Sequence, residues 1–186
     1  MKNIENRKLN IMFLIVFLAL IGIYFLLQQP TNNPEKRIVR LSHPEKINKI
    51  EIINSNISTV LVKNNDSWFI QENDALLESN ADLIGGLMDV LSTEMKLEKI
   101  SNKVDKYSIY ELDEDQIVYL KIYQDEKLIQ EFGIGKMGSV YPSSFMKLKN
   151  DLTVYQANNF LTFIVRNSDW LKIEDLEENS GDLEEI

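Results

Sequence analysis

The chain has 186 residues, with 20 Lys and Arg against 29 Asp and Glu, one histidine and no cysteine, and a formal net charge of −9. The missing cysteine excludes disulfides, zinc–thiolate and iron–sulfur sites, thiol catalysis and attachment of a lipid at cysteine. Seven acids with no base between them crowd into residues 174–186, so the remainder is only mildly acidic. It carries no basic stripe that would draw a nucleic acid.

In chain order, residues 1–10 place Lys2, Arg7 and Lys8 against the single acid Glu5. Residues 11–27, IMFLIVFLALIGIYFLL, follow without one charge. At 1.5 Å rise per residue such a helix is roughly 26 Å long, close to the hydrocarbon thickness of a bilayer. A helix in a soluble core would carry a polar stripe, and a cleaved secretory signal would end in small residues at a cleavage site. Neither pattern is present, so length and flanks favour an uncleaved signal anchor. The basic flank keeps residues 1–10 in the cytoplasm and sends the C-terminal part across. Residues 28–36 form a polar spacer in which Pro30 and Pro34 favour extended backbone, with a reach of about 25 Å.

A domain is expected over residues 37–173. Lys49 to Ile52 alternates charge with isoleucine, the period-two sign of a half-buried strand. Thr59 to Lys63 repeats the alternation, Asn64-Asn65-Asp66 supplies a turn, and Ser67 to Ile70 returns as the second arm of a hairpin. Ser79 and Asn80 are caps for a helix whose Leu83, Leu87, Val90 and Leu91 share one face. Gly85 and Gly86 inside that helix predict its close approach to a sheet rather than a phosphate cradle, which needs glycines in a loop before a helix. Met95 to Ile100 alternates again, and Lys103 to Glu111 is an irregular or single-turn piece. Asp115 to Tyr123, a turn at Gln124-Asp125-Glu126, and Lys127 to Ile134 form a second strand-rich block. Phe145 to Leu148 and Leu152 to Tyr155 flank the turn Lys149-Asn150-Asp151. Asn158 or Asn159 can cap a last short helix holding Phe160, Phe163 and Ile164, and Trp170 and Leu171 close the domain. Residues 174–186 lack the apolar content to fold and predict an acidic disordered tail. The expected class is α+β: an N-terminal transmembrane helix, then one largely antiparallel sheet domain with one packed amphipathic helix and a short C-terminal helix.

Lys63 to Ile70 (KNNDSWFI), Asn80-Ala81-Asp82 opening a helix, Asp105 to Ile109 (DKYSI), Phe132 to Gly135 (FGIG), and Val154-Tyr155-Gln156 follow one another in that order. Together these segments resemble the DUF4340 family of uncharacterised domains. The similarity spans about residues 50–170. Ser108 stands where relatives tend to have glycine. The resemblance implies a membrane-anchored extracytoplasmic accessory protein beside transport or gliding-motility components, and it transfers no active-site residue.

No constellation for catalysis emerges. His43 sits before Pro44 with no partner in sight for acid–base work. Asp113-Glu114-Asp115 is contiguous and lacks the spaced oxygens and turn glycine of a calcium loop. Along Val118 to Tyr123 one face is aliphatic, while Tyr119, Lys121 and Tyr123 fall on the other. With Tyr155 these three are the expected partner surface if that face is open. The expectation is thus a non-catalytic, single-pass accessory or scaffolding subunit of the cell's inner membrane, without cofactor or metal. Its partners are the lipid bilayer through residues 11–27 and proteins of a transport or motility complex, with no nucleic acid. The alternative is a module that binds a glycan or peptide on the aromatic face.

Overall fold

The computed structural model describes Met12, residues 16–21, and residues 35–171 apart from 57, 167 and 168. The chain divides into two units, Met1–Pro34 and Glu35–Ile186. In the first, residues 16–21 are helical and exposed. Most of the expected span over residues 11–27 lies outside the described residues, as do the spacer before Glu35 and the acidic tail. Among the described residues no helix is long and apolar enough to cross a membrane.

The second unit is one antiparallel sheet with a few helices, an α+β fold. Its strands are β1 (Lys36–Val39), β2 (Lys49–Ile53), β3 (Ser58–Asn64), β4 (Ser67–Glu72), β5 (Ala75–Glu78), β6 (Met95–Ser101), β7 (Val118–Gln124), β8 (Lys127–Met137), β9 (Ser144–Leu148) and β10 (Val154–Ala157). Helix α1 (Ala81–Ser92) lies between β5 and β6, and α2 (Leu161–Val165) follows β10. Two 3₁₀ segments, Pro44–Lys46 and Val104–Tyr110, complete the elements. The strand order is β1-β6-β10-β9-β8-β7-β2-β3-β4-β5.

Tight turns set the hairpins. Asn65 and Asp66 between β3 and β4 have φ of 46° and 70°, and Asp125 and Glu126 between β7 and β8 have 47° and 64°. Two successive positive φ values make the turn whose twist matches that of the flanking strands. Asn and Asp tolerate that region through local hydrogen bonds, whereas Glu126 occupies it without such help. Register then stacks like with like: Ile50 faces Ile122, Ile52 faces Leu120, Leu120 faces Phe132 and Ile134 faces Met146. These side chains form one face of the sheet. Ile84, Leu87 and Leu91 of α1, Leu161, Ile164 and Val165 of α2, and Trp170 close the main core with them.

A smaller core lies on the opposite face, made by Tyr107, Leu112, Ile117, Phe145 and Val154. Here the segment from Val104 to Ile117 crosses β8. The crossing requires Gly135, where an added Cβ would collide with the carbonyl oxygen of Tyr110 and press on Leu112. In α1 the glycines play no such part. A Cβ at Gly85 would meet nothing within 4 Å, and one at Gly86 would only reach Ile164 Cδ1 at 4.0 Å. The expected close approach to the sheet is therefore corrected: α1 packs through Ile84, Leu87 and Leu91, and its glycines fall beside that stripe.

Asn80 rather than Ser79 caps α1, its Oδ1 accepting the N–H groups of Asp82 at 3.1 Å and Leu83 at 3.3 Å. The Ser79 hydroxyl instead donates to the Trp68 carbonyl at 2.7 Å. Strands β1 and β5 escape a search for alternation because each has four residues, lies at a sheet edge and is largely exposed.

Candidate functional site

Tyr119, Lys121 and Tyr123 share the sheet face turned away from α1 and α2, each half-buried. Tyr155 does not join them. It opposes Met146, belongs to the main core, and donates its hydroxyl to Asp151 Oδ2 at 2.9 Å. Ordinary alternation along β10 puts Val154 in the smaller core and Tyr155 in the larger one.

The two tyrosines among them are already engaged. The Tyr123 hydroxyl donates to Glu51 Oε2 at 2.8 Å, and Lys49 Nζ lies 2.7 Å from Glu51 Oε1 and 4.9 Å from the Tyr123 ring centroid. Lys147 Nζ stands 4.9 Å from the Tyr107 ring and 5.9 Å from that of Tyr119. Burial and donation to the Glu51 carboxylate push the Tyr123 hydroxyl up to about 12. Burial alone would raise the Glu51 carboxyl, but hydrogen bonds from Lys49 and Tyr123 outweigh it and hold the group below the usual carboxylate range. Burial also lowers Lys147, against the pull of Glu114 and Glu131. Cations from neighbouring strands therefore cover rings that a sugar or peptide would need bare.

An exposed apolar surface lies elsewhere, where α2 meets the end of β8. Phe160 and Phe163, Met137, Tyr141 and Val90 of α1 wall a groove of about 800 Å³. Met137 is 55% exposed, Phe163 64% and Tyr141 77%. The Tyr141 and Phe160 rings meet edge to face with centroids 5.2 Å apart.

A buried polar network holds this wall in place. The Ser144 hydroxyl donates to the Asn159 carbonyl at 3.1 Å and accepts the Thr162 N–H at 3.0 Å. The Thr162 hydroxyl donates to the Gly135 carbonyl at 3.0 Å, and Asn159 Oδ1 accepts the Leu161 N–H at 3.2 Å. At the far end Arg166 reaches the Gln116 carbonyl and the Glu111 carboxylate, each at 3.1 Å. With α2 so pinned, Leu161, Thr162, Ile164 and Val165 turn inward and Phe163 is left outside. The sequence carries a signal for this that alternation and capping arguments pass over. FLTFIV (160–165) is richer in large apolar side chains than one side of so short a helix can bury.

His43 is exposed, its Nδ1 3.1 Å from Glu45 Oε1 and its carbonyl accepting from Gln124 at 2.7 Å. Asp113 Oδ1 accepts the Gln116 N–H at 3.1 Å, so the Asp113-Glu114-Asp115 run begins a closed turn. Among the described residues no group of three or more His, Asp or Glu side chains is placed to hold a metal ion. Comparison of the chain with family models, with curated proteins and with solved structures gives no match.

Proposed function

We propose that this chain is a non-catalytic accessory subunit, anchored in the cell's inner membrane, that presents its sheet domain outside the cytoplasm and docks protein partners through the groove at Phe163. The observation that carries the docking is the apolar wall itself. Soluble domains seldom expose several large apolar side chains side by side unless something covers them. The uncharged run over residues 11–27 and the basic residues before it support a single-pass anchor with a cytoplasmic N-terminus. The DUF4340-like pattern supports a place beside transport or motility components. The mechanism is tethering: confinement to the membrane raises effective concentration, so a modest apolar contact suffices for assembly.

A photo-crosslinking residue placed at position 163 of the full chain in its native membrane tests this reading, with position 74, an exposed turn outside the groove, as the control. The reading expects a discrete crosslinked protein from 163 and none from 74. Equal labelling from both positions, or none from 163, refutes it.

A further inference from the structure

Away from the groove, a second cleft of about 400 Å³ is lined by cations instead of rings. We infer that this cleft, between β1 and the start of β8, is the docking place of the chain's own acidic segment, residues 174–186, held there by Arg37, Arg40 and Lys149. The inference goes beyond the docking reading and shares no residue with it.

Three observations carry it, and the first is charge. Arg37, Arg40 and Lys149 line the cleft against the single acid Glu131, while residues 174–186 hold seven acids and no base. Arg40 is exposed and makes no ion pair with a described residue. The other two cations are held loosely: Arg37 lies 3.3 Å from Asp151 and Lys149 lies 3.4 Å from Glu131, each cation about half exposed to water. Asp151 does not depend on Arg37, since it also accepts the Thr153 N–H at 2.8 Å and the Tyr155 hydroxyl at 2.9 Å. Tail carboxylates therefore meet one free cation and two that exchange partners at little cost.

The second is unpaired backbone. Strand β1 lies at the sheet edge, and the register of β8 with β9 stops at Phe132, so Leu128, Ile129 and Gln130 have no β9 partner. All three line the cleft. Open edges invite strands from other chains, and a docked segment covers them.

The third is reach. Leu171 bridges Ser79, the residue after β5. Beside it one row of paired residues crosses the sheet through Glu78, Phe69, Val62, Lys49, Tyr123 and Leu128. The last of these lines the cleft. Five strand spacings amount to about 24 Å. The fifteen residues that follow Leu171 span up to about 50 Å, so the acids arrive with length to spare. Attachment to the same chain then supplies the effective concentration that weak ion pairs need.

Because the chain has no cysteine, Ser180→Cys gives one labelling point and removes no charge. With a nitroxide there, on the full chain in phosphatidylcholine nanodiscs, the methyl signals of Leu128 and Ile129 should broaden strongly. Met137, at the far end of β8 and about 30 Å away, should stay sharp. Arg40→Glu should restore the two broadened signals, as should about 0.5 M salt, where the screening length is roughly 4 Å. Equal broadening at Leu128 and Met137, or none at Leu128, overturns the inference. So does broadening that survives Arg40→Glu or the added salt. A mixture of isotope-labelled chain without nitroxide and nitroxide-bearing chain without isotopes should show no broadening. Broadening there would assign the cleft to the tail of a second copy and overturn the inference.

Discussion

The two faces of the sheet use the same strands and have opposite fates. On one, Ile50, Ile52, Val118, Leu120, Ile122, Phe132 and Ile134 are fully excluded from solvent beneath α1, α2 and Trp170. On the other, a five-residue core under the Val104–Ile117 segment gives way to half-buried tyrosines covered by lysines and a carboxylate. Alternation along a strand separates the faces but does not say what covers each. That depends on segments distant in sequence, and on how far a short helix such as α2 can hide its own apolar residues.

The largest expected effect sharpens this contrast. Phe132→Ala, in the closed core, should cost about 3–5 kcal/mol in urea unfolding followed by the fluorescence of Trp68 and Trp170, because the rigid surroundings leave a cavity. Phe145→Ala, in the smaller core, should cost roughly 1 kcal/mol less because the thin cover can settle. Equal costs would break the distinction between the faces. Gly135→Ala comes next, at about 1–3 kcal/mol by the same measurement, since the Tyr110 backbone must shift to admit a methyl group. An unchanged midpoint would mean that the Val104–Ile117 segment does not lie tightly on β8. In the opposite direction, Gly85→Ala should stabilise by about 1 kcal/mol, because the methyl finds open space and the helix gains propensity.

The smallest effect concerns the lysine-covered face. Tyr123→Phe should lower stability by about 1 kcal/mol or less at pH 7, where the lost hydrogen bond is partly exposed. Its pH dependence is more telling. Tyr123 is raised in the folded state, so its contribution is complete below the ordinary tyrosine value of about 10 and disappears as pH rises through about 12. Glu51 is lowered, so its contribution is complete above the ordinary carboxylate range and disappears as pH falls through its folded value below that range. Ultraviolet titration of the phenolates should lose the component near 12 in Tyr123→Phe. Its survival would show that the Glu51 contact does not hold in solution.

Much of the fold was legible in the sequence. Alternation marked β2, β3, β6 and β7, and Asn65, Asp66 and Asp125 marked turns whose positive φ they tolerate. Edge strands β1 and β5 were not legible, because an exposed four-residue strand has no buried side to repeat. The site was less legible. Tyr119, Lys121 and Tyr123 do share a face, as their spacing implies, yet the lysines above them come from β2 and β9 and leave no trace in β7. Tyr155 shares only residue type with them, and the pairing of β10 with β9, which sets it opposite Met146, turns it to the other side. Phe163 stayed hidden because an apolar residue in an apolar run looks buried until the inward capacity of α2 is counted.

The docking role of the groove is tested most directly by comparing the full chain with its Phe163→Glu variant in native membranes, using a crosslinker at position 141 and unfolding of each purified protein. An exposed ring contributes little to folding, so the two should unfold within about 0.5 kcal/mol of one another. Against that equal stability, the crosslinked partner should vanish in the variant. A partner that remains at full yield, or an unfolding midpoint that collapses along with it, would contradict the assignment of this surface to docking.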